Sequence, residues 1–227
     1  DSRFQHTVIS LSSEGKYGPL LRMRGIEVYA LGMMSGLSSL LLFYQLIKLL
    51  RWHRPDVVQT WMYHADLIGG VLGRLAGARL VVWNLRHSDL RNDCNKKSTI
   101  FVAMVNSWLS DMVPHCIICC SYKARDIHIS VGYRRDKIYV IQNGYDLSLF
   151  FEDPVARFNV RAELGIAESS VVLGMVARFD PQKNHFGLLE AVSQVRKVHC
   201  DILLILVGPM INSSNSLLVD QIVYRDL

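Results

Sequence analysis

The chain has 227 residues, half of them hydrophobic and a fifth charged, with a formal net charge of +5. That is enough sequence for one large or two small packed domains, and it excludes a disordered polymer. Five cysteines, an odd number, and no charged-then-apolar leader argue against a secreted disulfide framework and lead to an expectation of reduced thiols in a cytosolic setting. The charge is lopsided: residues 1–150 hold 18 Lys and Arg against 11 Asp and Glu, and 151–227 hold 7 against 9. A basic front half suits an anionic surface or substrate as well as a solvated exterior, and no recognition helix, zinc finger or RNA-binding signature speaks for nucleic acid.

Residues 6–11 read as a strand, Gly18-Pro19 open a short helix that Gly25 ends, and 26–31 read as a second, parallel strand. Residues 37–52, LSSLLLFYQLIKLLRW, form the most apolar helix, too short and too interrupted by Gln45 and Lys48 to span a bilayer. The plain reading packs it on a sheet. With Arg51, His53 and Arg54 at its end it also suits an interfacial helix touching lipid.

Residues 57–60 are a short strand and 66–76 a helix stopped by Gly77, with Trp61-Met62-Tyr63-His64 between them. Residues 80–85 are the next strand, ending in Arg86-His87-Ser88-Asp89. In open α/β sheets ligands bind beyond the carboxyl ends of strands, which makes His64 and His87 candidates, although a lone loop histidine more often serves structure. Residues 95–110 read as a helix, and Cys116-Ile-Ile-Cys-Cys120 as a buried strand delivering Ser121 to cap a helix that Gly132 ends. CxxCC does not read as a metal site: no second ligand cluster follows, and strand alternation turns Cys116 and Cys119 to opposite faces.

Residues 138–141 are a further strand, Asn143-Gly144 predict a sharp turn, and the acidic, proline-containing 146–154 predict a linker. This divides the chain into a first domain, 1–150, and a linker with a partial second domain, 151–227. In the second part a helix over 155–164, a strand over 171–176, a helix over 185–197, a strand over 202–207 and a short helix from about 216 follow in order. The central stretch is GMVARFDPQKNH, 174–185: an apolar strand running into Arg178, a turn at Asp180-Pro181, and Lys183 as a helix begins. Two cations beside a helix amino terminus at a strand's carboxyl end suit a diphosphate, and equally a solvated Arg and Lys on a loop.

VIQNGYDLSLF (140–150) followed by LGMVARFDPQKNH (173–185) resembles the retaining family 4 glycosyltransferases of the GT-B fold. The likeness extends upstream through PDVVQTWMYHAD (55–66), VVWNLRHSD (81–89) and CCSYKARDIHISVGY (119–133). The resemblance implies an α/β protein of two Rossmann-like domains with parallel sheets, the second holding the nucleotide-sugar. It implies that Arg178 and Lys183 hold the donor diphosphate and that His87 lies beside the transferred sugar, all three catalytic. His64, Asp66, Arg86 and Ser88 would line the acceptor or donor-sugar side, and Asn143 and Gly144 the hinge. No cofactor or metal is implied, the nucleotide-sugar being a substrate. The family's first strand with its glycine-rich loop has no counterpart after Asp1, and its paired glutamates are expected beyond Leu227; Glu190 is not that motif.

The expected activity is sugar transfer from a nucleotide-sugar to a glycan, lipid-linked or small-molecule acceptor with retention, in cell-surface polysaccharide or glycoconjugate synthesis. The expected location is cytoplasmic, with peripheral contact to an anionic membrane. The chain by itself is expected to be a poor enzyme. Alternatives are a non-catalytic nucleotide-binding or membrane-docking remnant, and a GT-B nucleotide-sugar epimerase.

Overall fold

The computed structural model describes residues 3–33, 39–90, 96–199 and 201–227, so the expected helix starts at 37 and 95 lie outside the described residues. The chain forms two compact units, Asp1–Gly144 and Tyr145–Leu227. In the first, β1 (Thr7–Ser10) and β2 (Glu27–Ala30) pair in parallel around α1 (Gly18–Met23), with Thr7 opposite Glu27 and Ser10 opposite Ala30. Next come α2 (Ser39–His53), β3 (Val57–Trp61), α3 (Tyr63–Ala76), β4 (Leu80–Leu85), α4 (Lys97–Leu109), β5 (Cys116–Cys119), α5 (Tyr122–Val131) and β6 (Ile138–Val140). The last four strands make one parallel sheet in the order β3-β4-β5-β6.

Alternation along these strands builds the core. Val81, Trp83, Leu85, Ile117, Cys119 and Ile138 are buried and pack with Tyr63, Ala103, Val113, Ala124 and Tyr133 from the flanking helices and loops. Each large side chain so buried contributes roughly 1.5–3 kcal/mol. Gly70 allows α3 to lie against Trp83, because a Cβ there would come within 2.3 Å of the indole Nε1. Ser121 caps α5 by accepting from the Ala124 N–H at 3.1 Å, and Gly132 ends it at φ 108, both as the sequence predicts. The apolar helix α2 packs against α3, burying Leu46 and Leu50 and leaving Leu41, Tyr44, Lys48, Arg51 and Trp52 exposed.

Two local expectations differ. Helix α3 begins at Tyr63 rather than 66, because Met62 takes up the change of direction at φ 75 and ψ 159, pinned by its N–H to the Asn84 carbonyl at 3.0 Å. Asn143-Gly144 make no turn: this stretch has no regular structure, Gly144 is absent from the glycines with positive φ, and the chain turns instead at 147–149, where Asp146 accepts from the Ser148 N–H and hydroxyl.

The second unit holds α6 (Pro154–Glu163), β7 (Val171–Val176), α7 (His185–Arg196), β8 (Ile202–Val207) and α8 (Ser216–Tyr224). β7 and β8 pair in parallel from Val171 opposite Ile202 to Val176 opposite Val207 and form a two-stranded sheet. Asp153 and Asn215 cap α6 and α8 through backbone N–H groups. α7 packs on α8, burying Leu189, Val192 and Leu218, with Arg225 Nε 3.0 Å from Glu190 Oε2 beside them.

Candidate active site

The predicted cation loop leaves the carboxyl end of β7. Ala177 and Phe179 continue the pairing, their N–H groups donating to Val207 and Pro209 carbonyls at 2.9 and 3.0 Å. Gly208 makes this approach possible, since a Cβ there would lie 2.1 Å from the Ala177 oxygen. Arg178 projects between these two anchored residues and is exposed; its Nε donates to Asp180 Oδ2 at 3.0 Å. Asp180 also accepts from the Gln182 N–H at 3.0 Å and so caps the single 3-10 turn Pro181–Lys183. The Gln182 N–H and the Arg178 guanidinium hold its carboxyl below the usual range.

Lys183, exposed, ends that turn directly before Asn184, whose left-handed backbone (φ 53) and side chain cap α7 by accepting from the Gly187 N–H at 3.2 Å. His185 at the start of α7 is buried beside Phe179, 5.3 Å between ring centroids, with neither ring nitrogen meeting a partner among the described residues. Arg178, Lys183 and the amino end of α7 therefore lie on one short loop. Together they present a guanidinium, an ammonium and helix N–H groups to an anion.

In the first unit the carboxyl ends of β3 to β6 gather a second group of residues. Arg86, just after β4, donates from Nη1 to Asn143 Oδ1 at 2.7 Å, and its Cζ lies 4.7 Å from the centroid of the exposed Trp61 ring at the end of β3. A cation over an indole face contributes about 0.5–2 kcal/mol. Asn143, expected at a hinge, thus also acts as a brace, while Gly144 stands at the unit boundary. His87 is half-buried with its ring edge-on to Tyr63 at 6.4 Å. His64 and Ser88 are exposed.

Behind His87 lies a buried polar chain. His128 Nδ1 is 2.6 Å from the Ala124 carbonyl and therefore carries the proton, so Nε2 accepts from the Tyr63 hydroxyl at 2.8 Å. Burial pulls the His128 pKa down and pushes the Tyr63 hydroxyl up, so both are neutral. Asn106 Nδ2 holds the Tyr63 carbonyl at 2.8 Å.

Asp66 does not stand at the substrate side expected of it. It is fully buried in the first turn of α3, where Thr60 Oγ1 donates to its Oδ1 at 2.5 Å while Oδ2 meets no partner among the described residues. Burial pushes its pKa up to about 8, against the pull of the Thr60 hydroxyl and the Asn84 backbone. At neutral pH it is mainly an uncharged acid joining β3 to α3. Its side chain faces the core because α3 begins three residues earlier than the sequence suggests.

Two α/β units with parallel sheets and polar side chains gathered at strand ends make a fold of the GT-B type, and the family model assigns the chain to the glycosyltransferase class. The chain belongs to glycosyltransferase family 4, whose model matches residues 1–149. It is 30% identical over 170 residues, 73% of this chain and 42% of the relative, to UDP-Gal:alpha-D-GlcNAc-diphosphoundecaprenol alpha-1,3-galactosyltransferase of Escherichia coli. It is 25% identical over 148 residues, 64% of this chain and 38% of the relative, to the putative glycosyltransferase EpsF of Bacillus subtilis. Its fold is similar to that of Anabaena Alr3699/HepE, solved in complex with UDP-glucose: TM-score 0.77 and 22% identity over 97% of this chain and 58% of that one. The chain thus spans less than two thirds of the length of these proteins.

Proposed function

We propose that the chain carries the donor-diphosphate grip and part of the acceptor side of a retaining glycosyltransferase, which moves a sugar from a nucleotide-sugar to a glycan, lipid-linked or small-molecule acceptor. The observation that carries this reading is the loop on which Arg178 and Lys183 flank the amino end of α7. As the bond from the anomeric carbon to the diphosphate breaks, negative charge grows on the leaving oxygens. In this reading Arg178 and Lys183 stabilise it and no metal is needed, each charge-assisted bond contributing about 1.5–3 kcal/mol. On the same face the leaving phosphate accepts the acceptor hydroxyl's proton, and the new bond forms with retention.

His87 orients the donor sugar, and the Tyr63 to His128 chain behind it fixes Tyr63, the surface on which its ring rests. Trp61, with Arg86 on it, presents an exposed aromatic face to an acceptor; His64 and Ser88 are its polar neighbours. The names of the relatives support this reading, since one uses a UDP-sugar and a lipid diphosphate. A polyprenyl acceptor would put the protein at a membrane surface in polysaccharide or glycoconjugate synthesis, peripheral to the anionic inner leaflet. Among the described residues no helix is long and apolar enough to cross a membrane.

Titration calorimetry with UDP, UDP-galactose and UDP-glucose tests the donor grip. Saturable UDP binding that weakens more than roughly tenfold in Arg178→Ala and Lys183→Ala, but not in Lys197→Ala, supports it. Equal binding by all four proteins overturns it, and donor binding without transfer to any acceptor favours the remnant reading.

A further inference from the structure

Helix α4 turns small and polar groups to the core beside the half-buried Val102 and Leu109. Its buried positions include Asn106 and Ser107, with Ser110 just past its end, alongside the small Ala103. Asn106 Nδ2 donates to the Tyr63 carbonyl at 2.8 Å, the Ser107 hydroxyl to the Met104 carbonyl at 2.7 Å, and the Ser110 hydroxyl to the Ser107 carbonyl at 2.6 Å while accepting from the Arg134 N–H at 3.0 Å. The solvent side carries larger apolar groups still: Phe101, Met104, Trp108 and, in the turn that follows, Met112. Spacings of three, four and four place them on one stripe along the helix axis. Trp108 is 77% exposed. Ordinary amphipathic packing puts such residues inward, so this face is shaped for something other than the core.

Cations stand at both ends of the stripe. Lys96 and Lys97 are exposed at its amino end. At the other end Arg74 Nη2 donates to the Met112 carbonyl at 3.1 Å, and Lys137 Nζ donates to the Pro114 carbonyl at 2.9 Å and to the Asp111 carbonyl. The acids there, Asp111 and Asp136, face Arg134 at 3.4 and 2.7 Å, so three cations stand against two acids. With both ends positive, a second copy of the chain laid on this stripe in either direction would bring cation against cation. An anionic lipid surface has the complementary charge, and Trp and Phe favour the headgroup boundary.

We propose that the α4 stripe, Phe101, Met104, Trp108 and Met112 with the flanking cations, is an interfacial surface that seats the first unit on an anionic bilayer. This narrows the membrane contact proposed above to one surface and rests on that contact; α2, which the sequence suggested for lipid contact, is not the docking element.

The test is flotation with vesicles of phosphatidylcholine alone and of phosphatidylcholine with phosphatidylglycerol, at low and high salt. Its proteins are the wild-type chain, Phe101→Ser/Trp108→Ser, Lys96→Glu/Lys97→Glu, and an α2 control, Tyr44→Ser/Trp52→Ser. All substituted residues are exposed, and circular dichroism checks that each variant folds. The proposal expects salt-sensitive binding to the anionic vesicles that falls roughly tenfold in both α4 variants and persists in the α2 control. It also expects bromolipid quenching of tryptophan emission that diminishes in Trp108→Phe. Binding lost in the α2 control and kept in the α4 variants overturns this assignment while leaving membrane contact standing. No binding by the wild type overturns both. A concentration-dependent dimer that Phe101→Ser/Trp108→Ser dissociates, with vesicle binding unchanged, overturns it in favour of a second copy.

Discussion

Arg178 Nε and Asp180 Oδ2 are 3.0 Å apart, so the guanidinium proposed to meet the donor diphosphate is already held by a carboxylate two residues away. The contact uses Nε and leaves the terminal nitrogens facing outward, and the same carboxylate caps the turn that ends in Lys183. Asp180 therefore aims one cation and steadies the loop of the other. Both residues are exposed enough that the pair itself adds little stability. Its role is preorganisation.

From this follows an expected order of effects. Arg178→Ala and Lys183→Ala each weaken UDP binding by about one to two orders of magnitude, the equivalent of one charge-assisted bond. Asp180→Ala weakens it by about three- to tenfold, because losing the cap outweighs removing a negative charge. Asp180→Asn, which keeps an acceptor for the Gln182 N–H, recovers most of that loss. Calorimetry on the four variants checks the order, and tighter binding in Asp180→Ala would show that repulsion dominates.

The Trp61 shelf yields a separable outcome. Its indole is exposed on the first unit, with Arg86 over its face and Asn143 bracing Arg86. Trp61→Ala should raise the acceptor KM about tenfold with donor KM unchanged, and Trp61→Phe should restore most of the affinity, since a ring face suffices for stacking against sugar C–H groups. Steady-state kinetics with each substrate varied in turn reads the split. A donor KM that moves instead would place Trp61 on the other side of the reaction.

Much of the fold was legible because its signals are local. Ser121 and Gly132 bracket α5, Gly77 ends α3, and the apolar runs at 80–85, 171–176 and 202–207 become strands as read. The start of α3 was not legible, because Met62 adopts a positive φ without the Gly or Asn that usually marks one. That miss carried Asp66 with it, since a carboxylate in a first helical turn ordinarily reads as exposed. Trp61 looked like one apolar residue among several, and only the stacking of Arg86 singles it out. Helix α4 was legible as a helix but its exposed aromatic stripe was not: which face is buried depends on the partners Tyr63 and Arg134, distant in sequence.

The two units should differ in protection. The first pairs four parallel strands around Trp83 and Ile117, whereas the second pairs two strands whose side chains are only partly covered, Val171, Leu203 and Val207 being exposed. A two-stranded sheet has two open edges and little apolar burial to hold it closed. Native-state hydrogen exchange should protect 57–60, 80–85 and 116–119 by about two or more orders of magnitude over 171–176 and 202–207. Saturating UDP should narrow the gap by stabilising the second unit alone. Uniform protection in the absence of UDP would contradict this.

Asp66 sets a pH dependence whose sign can be worked out. Its folded pKa, about 8, lies above the ordinary aspartate value of 3.8, so the folded state holds a proton that the unfolded state has lost. The stability this group supplies is complete below the unfolded value and is lost as pH rises through the folded one. His128 and His115, both lowered by burial, act in the opposite direction, but their effect is complete once pH passes the ordinary histidine range. Between about pH 7 and 8 the carboxyl is therefore the group that moves, by about 1 kcal/mol, or roughly 2–4 °C in the melting temperature of the first unit. Asp66→Asn keeps the shape and an acceptor for the Thr60 hydroxyl without a titrating proton, so its melting temperature should stay level over that window while the wild type falls. Thermal melts followed by near-ultraviolet circular dichroism, which reports the buried Trp83, separate this unit from the second. A wild type that stays level from pH 7 to 8, or an Asn variant that falls equally, would mean that Asp66 is ionised in the folded core and that Thr60 with the Asn84 N–H outweighs burial.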